Sequence, residues 1–377
     1  MKWKYHRPLD RDYFLRLSVA NKFRDTFLFE KFVLDFEMHY HIIPRIDMVV
    51  RGGMGAQLYA TKDEQRMSED IDVLTAMPKD EVAKIMQDID DSLDEVKFTL
   101  TRSSPRIRGN LLQYDIKCPS PHRPACRVYM DFLCGVDPRI MQYAHVLQSP
   151  TVASLKLGHN IPVLSRGALI ADKMCTMSSP ETIGLRHLHD FPKQMFDMSA
   201  LIRGSTLEDM RTLFPAHLHI IGFMSRIYDK YHPVHKIING APETCAKLLD
   251  FGADSLIAPE YERVYGKFRS RFVQHGLGAT PFFQMSEILL VTLCSAHLRE
   301  YAADADLEGH ARRLYASIAK YNRLVREGGT SAMADPETLG RLGALRETLE
   351  GRPVLLAPAQ WHLLGEALGD GRVRLGG

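Results

Sequence analysis

VVRGGMGAQLYATKDEQRMSEDIDVL, residues 49–74, decides the fold. It opens inside an apolar run, IDMVVR (46–51), that stops at Gly52-Gly53. Such a run entering a glycine pair reads as a buried strand followed by a tight turn. MGAQLYA is the helix expected next, and EDIDVLTA is the next strand. That second strand carries two acids, Asp70 and Asp72, on either side of Ile71. Successive strand side chains alternate faces, so the two carboxylates point the same way. They repel unless a cation stands between them, and magnesium takes hard oxygen ligands. Acids on an exposed strand edge are the plainer alternative for a lone D-x-D.

Two other features favour the metal. Asp131 sits in CRVYMDFL, an acid inside a strand that otherwise reads as core, and supplies a third ligand from a neighbouring strand. The glycine pair also opens a helix, and bare backbone N–H groups at a helix start bind phosphate. Strand, Gly-Gly, helix, strand with D-x-D and a later strand with Asp reads as a nucleoside triphosphate held by backbone and metal.

Working outward, residues 10–44 carry Phe, Leu and Val at helical spacing and read as helices ended by Pro44. PKDEVAKIMQDIDDSLDEV (78–96) is an amphipathic helix with Pro at its start. VKFTLT, NLLQYDIK and CRVYMDFL are strands rich in β-branched and aromatic residues. From Ser165 onward strand signals nearly vanish, and Ser205 with Glu208 forms a capping box for a later helix. The expectation is an α+β chain, with a mixed-sheet domain over 1–160 and a helical domain over 161–377.

The run from Val49 to Val73 resembles the first motif of the AbiEii-type nucleotidyltransferases, toxin halves of bacterial toxin–antitoxin and phage-defence pairs. Arg51, Gly52, Gly53, Arg66, Ser68, Asp70, Ile71 and Asp72 fall on its pattern. A later stretch, GALIADKMCTMSSPETIGLRHLHDF, resembles the family's downstream motifs, with Lys173, Arg186, His187 and Asp190 in place. The resemblance covers roughly 20–205. It implies a minimal, polymerase-β-like nucleotidyltransferase core. Asp70, Asp72 and Asp131 would hold Mg²⁺, and Arg51, Gly52, Gly53, Arg66 and Ser68 would hold the NTP. Lys173 would meet the leaving pyrophosphate, oriented by Asp190, with Asp197 as second candidate for that acid. Met54 departs from the family, which usually has Ser or Thr there. Read without the resemblance, Lys173 is a lysine snorkelling at the edge of the apolar stripe of Leu169, Ile170, Met174 and Met177.

Composition narrows the classes. The net charge of +2 gives no global attraction to nucleic acid, so any basic surface is local. Six cysteines without a C-x-x-C pair suit reduced thiols better than a disulfide or zinc framework. The H-x-H pairs at 39/41, 187/189 and 217/219 and H-x-x-H at 232/235 lack an acid or cysteine partner at metal spacing. The longest apolar run, ILLVTLC, is too short for the roughly 20 residues of a membrane span. The expectation is a cytoplasmic transferase moving an NMP to an RNA acceptor such as a tRNA 3′ end, with a cognate antitoxin as partner. Transfer to a protein or small molecule is the alternative within enzymes. A nucleotide-sensing protein without turnover is the alternative outside them, and the intact D-x-D argues against it.

Overall fold

The computed structural model describes residues 10–93, 95–101, 109–178, 185–227, 233–249, 257–274, 281–328 and 356–368. The chain divides into two compact units. The first comprises Met1–Ser165, Gly222–Tyr231 and Arg269–Leu277; the second comprises Arg166–Ile221, His232–Phe268 and Gly278–Gly377.

The first unit begins with α1 (Arg11–Ala20) and α2 (Thr26–Ile42), each started by an aspartate whose side chain accepts from a backbone N–H three residues on. There follow β1 (Val49–Val50), α3 (Gly52–Tyr59), β2 (Asp70–Leu74), α4 (Lys79–Ser92), β3 (Lys97–Thr101), β4 (Leu111–Cys118) and β5 (Cys126–Leu133). A short α5 (Pro138–Met141), β6 (Ala144–Leu147), β7 (Thr151–Val152), β8 (Leu155–Lys156) and β9 (Ile161–Leu164) complete it. Seven strands form one mixed sheet in the order β3-β4-β5-β2-β1-β9-β6. β2 runs parallel to β5 and β1 parallel to β9, while the β1–β2, β3–β4, β4–β5 and β6–β9 pairs are antiparallel.

Alternation along the strands gives this sheet its two faces. Val128, Met130 and Phe132 of β5 and Leu112, Tyr114 and Ile116 of β4 are buried. On the other face stand Arg127, Tyr129 and Asp131 of β5 and Gln113, Asp115 and Lys117 of β4, all half-buried or exposed. The amphipathic α4 turns Val82, Met86 and Ile89 inward and packs on β3 and β4. Each such side chain taken out of water contributes about 1.5–3 kcal/mol.

The strands expected at VKFTLT, NLLQYDIK and CRVYMDFL are present, and Pro78 precedes α4 as its N-cap rather than standing inside it. β1 is only two residues long. Strands β6 and β9 were not foreseen. Pro162 lies in β9, and a proline removes a ladder donor and masks a strand in sequence.

The second unit is built from helices: α6 (Arg166–Ser178), α7 (Phe191–Arg203), α8 (Leu207–Ile227), α9 (Val234–Leu248), α10 (Pro259–Phe272), α11 (Pro281–Asp304), α12 (Leu307–Glu327) and α13 (Pro358–Leu368). The last residues of α8 and α10 are counted with the first unit. The capping box of α8 is displaced by one residue from expectation. Thr206 and Asp209 bond reciprocally, Thr206 N to Asp209 Oδ2 at 2.8 Å and Asp209 N to Thr206 Oγ1 at 3.1 Å. Ser205 instead donates back to the Leu201 carbonyl. Among the described residues, no helix is long and apolar enough to cross a membrane.

Candidate active site

The parallel pairing of β2 and β5 sets Asp72 beside Asp131 and Asp70 beside Tyr129. With two-residue alternation, Asp70, Asp72 and Asp131 therefore share the polar face of the sheet. Asp70 is exposed, and the other two are half-buried. Asp131 is pushed up to about 7, first by burial and then by the charge of Asp72; Asp70 adds to this, while the Gln113 hydrogen bond and Arg51 oppose it. Gln113 Nε2 donates to both Asp131 oxygens, at 3.1 and 3.3 Å. Acids crowded enough to raise a proton's affinity are a place for a cation, and an all-oxygen donor set suits magnesium.

The glycine pair is explained by what lies against it. Gly52 has φ +62°, a left-handed backbone, and a Cβ there would overlap the Asp72 carboxylate. A Cβ at Gly53 would fall 2.7 Å from Ser68 Oγ and 2.8 Å from Arg66 Nη2. Helix α3 starts at this pair with Arg51 as N-cap, and no side chain caps it. Arg51 N donates to the Asp72 carbonyl at 2.9 Å, which ties the helix start to β2.

Arg66 is 3% exposed, and its guanidinium donates to the Met67 carbonyl at 2.8 Å. Its backbone N–H donates to Gln57 Oε1 at 2.7 Å. The Met67 N–H bonds to the Phe272 carbonyl, and Arg66 forms a bridge with Val273. Arg66 and Ser68 thus brace the loop between α3 and β2, with both side chains pressed on Gly53. Met54 is fully buried, so its side chain belongs to the core.

In the second unit the structure corrects the expected pairing. Lys173 Nζ donates to Asp197 Oδ2 at 2.8 Å and to Gln194 Oε1 at 3.0 Å. Gln194 and Asp197 lie three residues apart on α7, so both reach the same point on α6. Asp190 instead sits at the N-cap of α7, where it pairs with Lys193 at 3.2 Å and His189 at 3.3 Å. Lys173 does not snorkel: its side chain is 2% exposed and that of Asp197 is 0%. Arg186 and His187 have side chains outside the described residues.

The other histidine motifs stay unremarkable where they are described. His39 and His217 are buried, and burial lowers them to about 3 and about 4. All six cysteines are buried free thiols.

A groove of about 430 Å³ lies in the first unit and is lined by Glu69, the residue before Asp70. Lys31, Arg123, Arg127 and Arg271 line it with the aromatic rings of Phe27 and Tyr129. Both rings are exposed, at 44% and 41%. Arg123 stands 4.1 Å from the Phe27 centroid and Lys31 stands 4.6 Å from that of Tyr129. Arg127 is also bonded to Asp115, and Arg271 lies 3.6 Å from Glu69. The sequence reading missed this groove, although alternation along β5 places Arg127 and Tyr129 on the face of Asp131.

Comparison with known proteins follows the same line. The family described as "Nucleotidyl transferase AbiEii toxin, Type IV TA system" matches residues 41–277. Among solved structures, MenT4, a nucleotidyltransferase toxin from Mycobacterium tuberculosis, is similar at 14% identity, over 81% of this chain and 99% of that one, with TM-score 0.37. JHP933 from Helicobacter pylori is similar at 12% identity, over 84% and 95%, with TM-score 0.32. An antigenic nucleotidyltransferase-like protein from Paracoccidioides brasiliensis is similar at 13%, over 52% and 78%, with TM-score 0.30. Among curated protein sequences none matches. The chain belongs to the AbiEii family of nucleotidyltransferase toxins of type IV toxin–antitoxin systems.

Proposed function

We propose that this nucleotidyltransferase moves an NMP from an NTP to the 3′ end of an RNA. The acceptor hydroxyl attacks the α-phosphorus, the bond to the β-phosphate oxygen breaks, and pyrophosphate leaves. Asp70, Asp72 and Asp131 are the residues that would hold Mg²⁺, which when bound neutralises phosphate charge and polarises the reacting phosphoryl group. One of these carboxylates takes the proton of the attacking hydroxyl. The amides at the start of α3 cradle phosphate, and Arg51 adds charge beside them. Lys173 gives two of its three N–H groups to Asp197 and Gln194, which anchors α6 to α7 inside the second unit.

The observation that carries the acceptor is the groove beside Glu69. Arginine and lysine charges interleaved with exposed aromatic rings suit a single-stranded nucleic acid, phosphates on the cations and bases on the rings. Transfer of each labelled NTP to total RNA in magnesium tests it. Labelled RNA is expected from the wild-type protein, with at least a tenfold loss in Arg123→Glu and in Tyr129→Ala. Label appearing on protein instead, or full RNA labelling by both variants, would reject RNA as acceptor. A cognate antitoxin partner follows from the family.

A further inference from the structure

We infer that the corner between α11 and α12 is a site for a divalent transition-metal ion of the zinc class, held by His297, Glu300 and His310. None of these residues belongs to the transfer site. Among the described residues they are the group of histidines, cysteines and acids whose ligand atoms converge closely enough to share one ion.

The geometry is specific. His297 Nδ1 and His310 Nδ1 are 3.2 Å apart. Glu300 Oε2 is 3.9 Å from each of them. A triangle with those three edges has its centre about 2.1 Å from every corner, and zinc bonds to imidazole nitrogen and carboxylate oxygen at about 2.0–2.2 Å. A proton shared between the two nitrogens accounts for the short edge alone. It does not account for a carboxylate oxygen standing equidistant from both.

The surroundings add what a metal-bound imidazole requires. Asp304 accepts from His310 Nε2, with both oxygens at 3.0 Å. That bond places the proton on Nε2 and turns the Nδ1 lone pair to the cluster, the carboxylate–histidine arrangement found behind metal ligands. Both histidines are 1% exposed, and Phe214 and Tyr301 stand beside His310 with ring centroids at 5.9 and 6.3 Å. The Glu300 side chain is 29% exposed, which leaves a wet side for a fourth ligand from water.

The chain supplies the ligands by local rules. His297 and Glu300 are three residues apart on α11 and share a face. Ala305 turns the backbone with φ +57°, Asp306 caps α12 through the Gly309 N–H, and His310 comes round to meet them. Two imidazoles and one carboxylate, without thiolate, favour zinc or its first-row neighbours over magnesium. The ion would pin α11 to α12.

The test uses the full chain stripped of metal, in an Asp70→Asn/Asp72→Asn background so that the β2 acids add no second site. Zn²⁺ is titrated by calorimetry and Co²⁺ by visible absorption. One equivalent of each is expected, with a tetrahedral Co²⁺ band and a raised unfolding midpoint. His310→Asn should remove all three effects. Glu300→Gln and Asp304→Asn, at half-exposed positions that leave folding intact, should weaken binding about 10–100-fold. These two variants carry the test if His310→Asn does not fold. Absence of stoichiometric Zn²⁺ binding in the parent, or unchanged affinity in Glu300→Gln, would overturn the site.

Discussion

Replacing Lys173 by alanine should destabilise the protein as much as it disables it. The ammonium lies 2.8 Å from the Asp197 carboxylate, and the two side chains are 2% and 0% exposed. Removing one partner of a buried pair leaves the other charge uncompensated and costs about 3–5 kcal/mol. Against a usual stability of about 5–15 kcal/mol, that is a large share. Removing both in Lys173→Met/Asp197→Leu leaves no charge behind and should be near neutral, because the pair's attraction little more than offsets its desolvation. Urea unfolding of the two single variants and the double variant measures this. The singles should lose about 3 kcal/mol or more, and the double should recover most of it. Nucleotide transfer per folded molecule then separates the two roles of the lysine. A folded double variant without transfer activity places Lys173 in the chemistry. Wild-type turnover from the double variant would confine Lys173 to packing, and a single variant within about 1 kcal/mol of wild type would refute the buried-pair reasoning itself.

Asp70→Asn and Asp72→Asn should each abolish transfer while the far-UV spectrum and unfolding midpoint stay near wild type, since neither side chain is buried; normal turnover in either would remove the metal assignment. Gly52→Ala should cost at least about 1–2 kcal/mol for the left-handed backbone alone, plus the overlap with Asp72, read as a lowered urea midpoint and lost transfer. His217, lowered by burial to about 4, carries a pH prediction. Its folded value lies below the unfolded one, so the unfolded chain binds the extra proton. Stability is therefore intact above about pH 6.5 and falls as pH drops toward 4, by roughly 3 kcal/mol for the full shift. His217→Gln should flatten that part of the stability profile measured by urea unfolding.

What could be seen in advance was whatever depends on short-range periodicity. β2 and β5 were legible because two-residue alternation runs through Asp70–Val73 and Cys126–Phe132, and it put Asp70 and Asp72 on one face before any pairing was known, with Asp131 expected from another strand. That they sit on adjacent strands was an expectation about tertiary order, and the Asp72–Asp131 register meets it. Lys173 was placed correctly on its helix but given the wrong partner and the wrong burial. An apolar stripe around a lysine looks the same in sequence whether the chain end reaches water or an internal acid. Only the phase of α7 distinguishes Asp197 from Asp190, and that phase depends on where the helix begins, just after Asp190. The basic groove escaped as a whole because its cations come from α2, the β4–β5 connection, β5 and the end of α10, and of these only the last, RVYGKFRSRF, is conspicuously basic in sequence.

The motif around Gly52-Gly53 is better understood as one packed object than as a row of ligand contacts. Gly52 is required by the Asp72 carboxylate, Gly53 by Arg66 and Ser68, and Arg66 by the backbone it braces at Met67. A substitution at any of these positions moves another, so their co-occurrence at fixed spacing needs no direct touch on nucleotide by every member. Met54 fits this view. Its side chain is fully buried, and a hydroxyl there would need a hydrogen-bond partner in the core rather than facing phosphate from the surface. On the proposed reading, a phosphate at this turn would meet the backbone amides of α3, which no side chain caps, and a methionine changes nothing they present. The only demand on position 54 is that it fill its space, and a flexible apolar side chain does that.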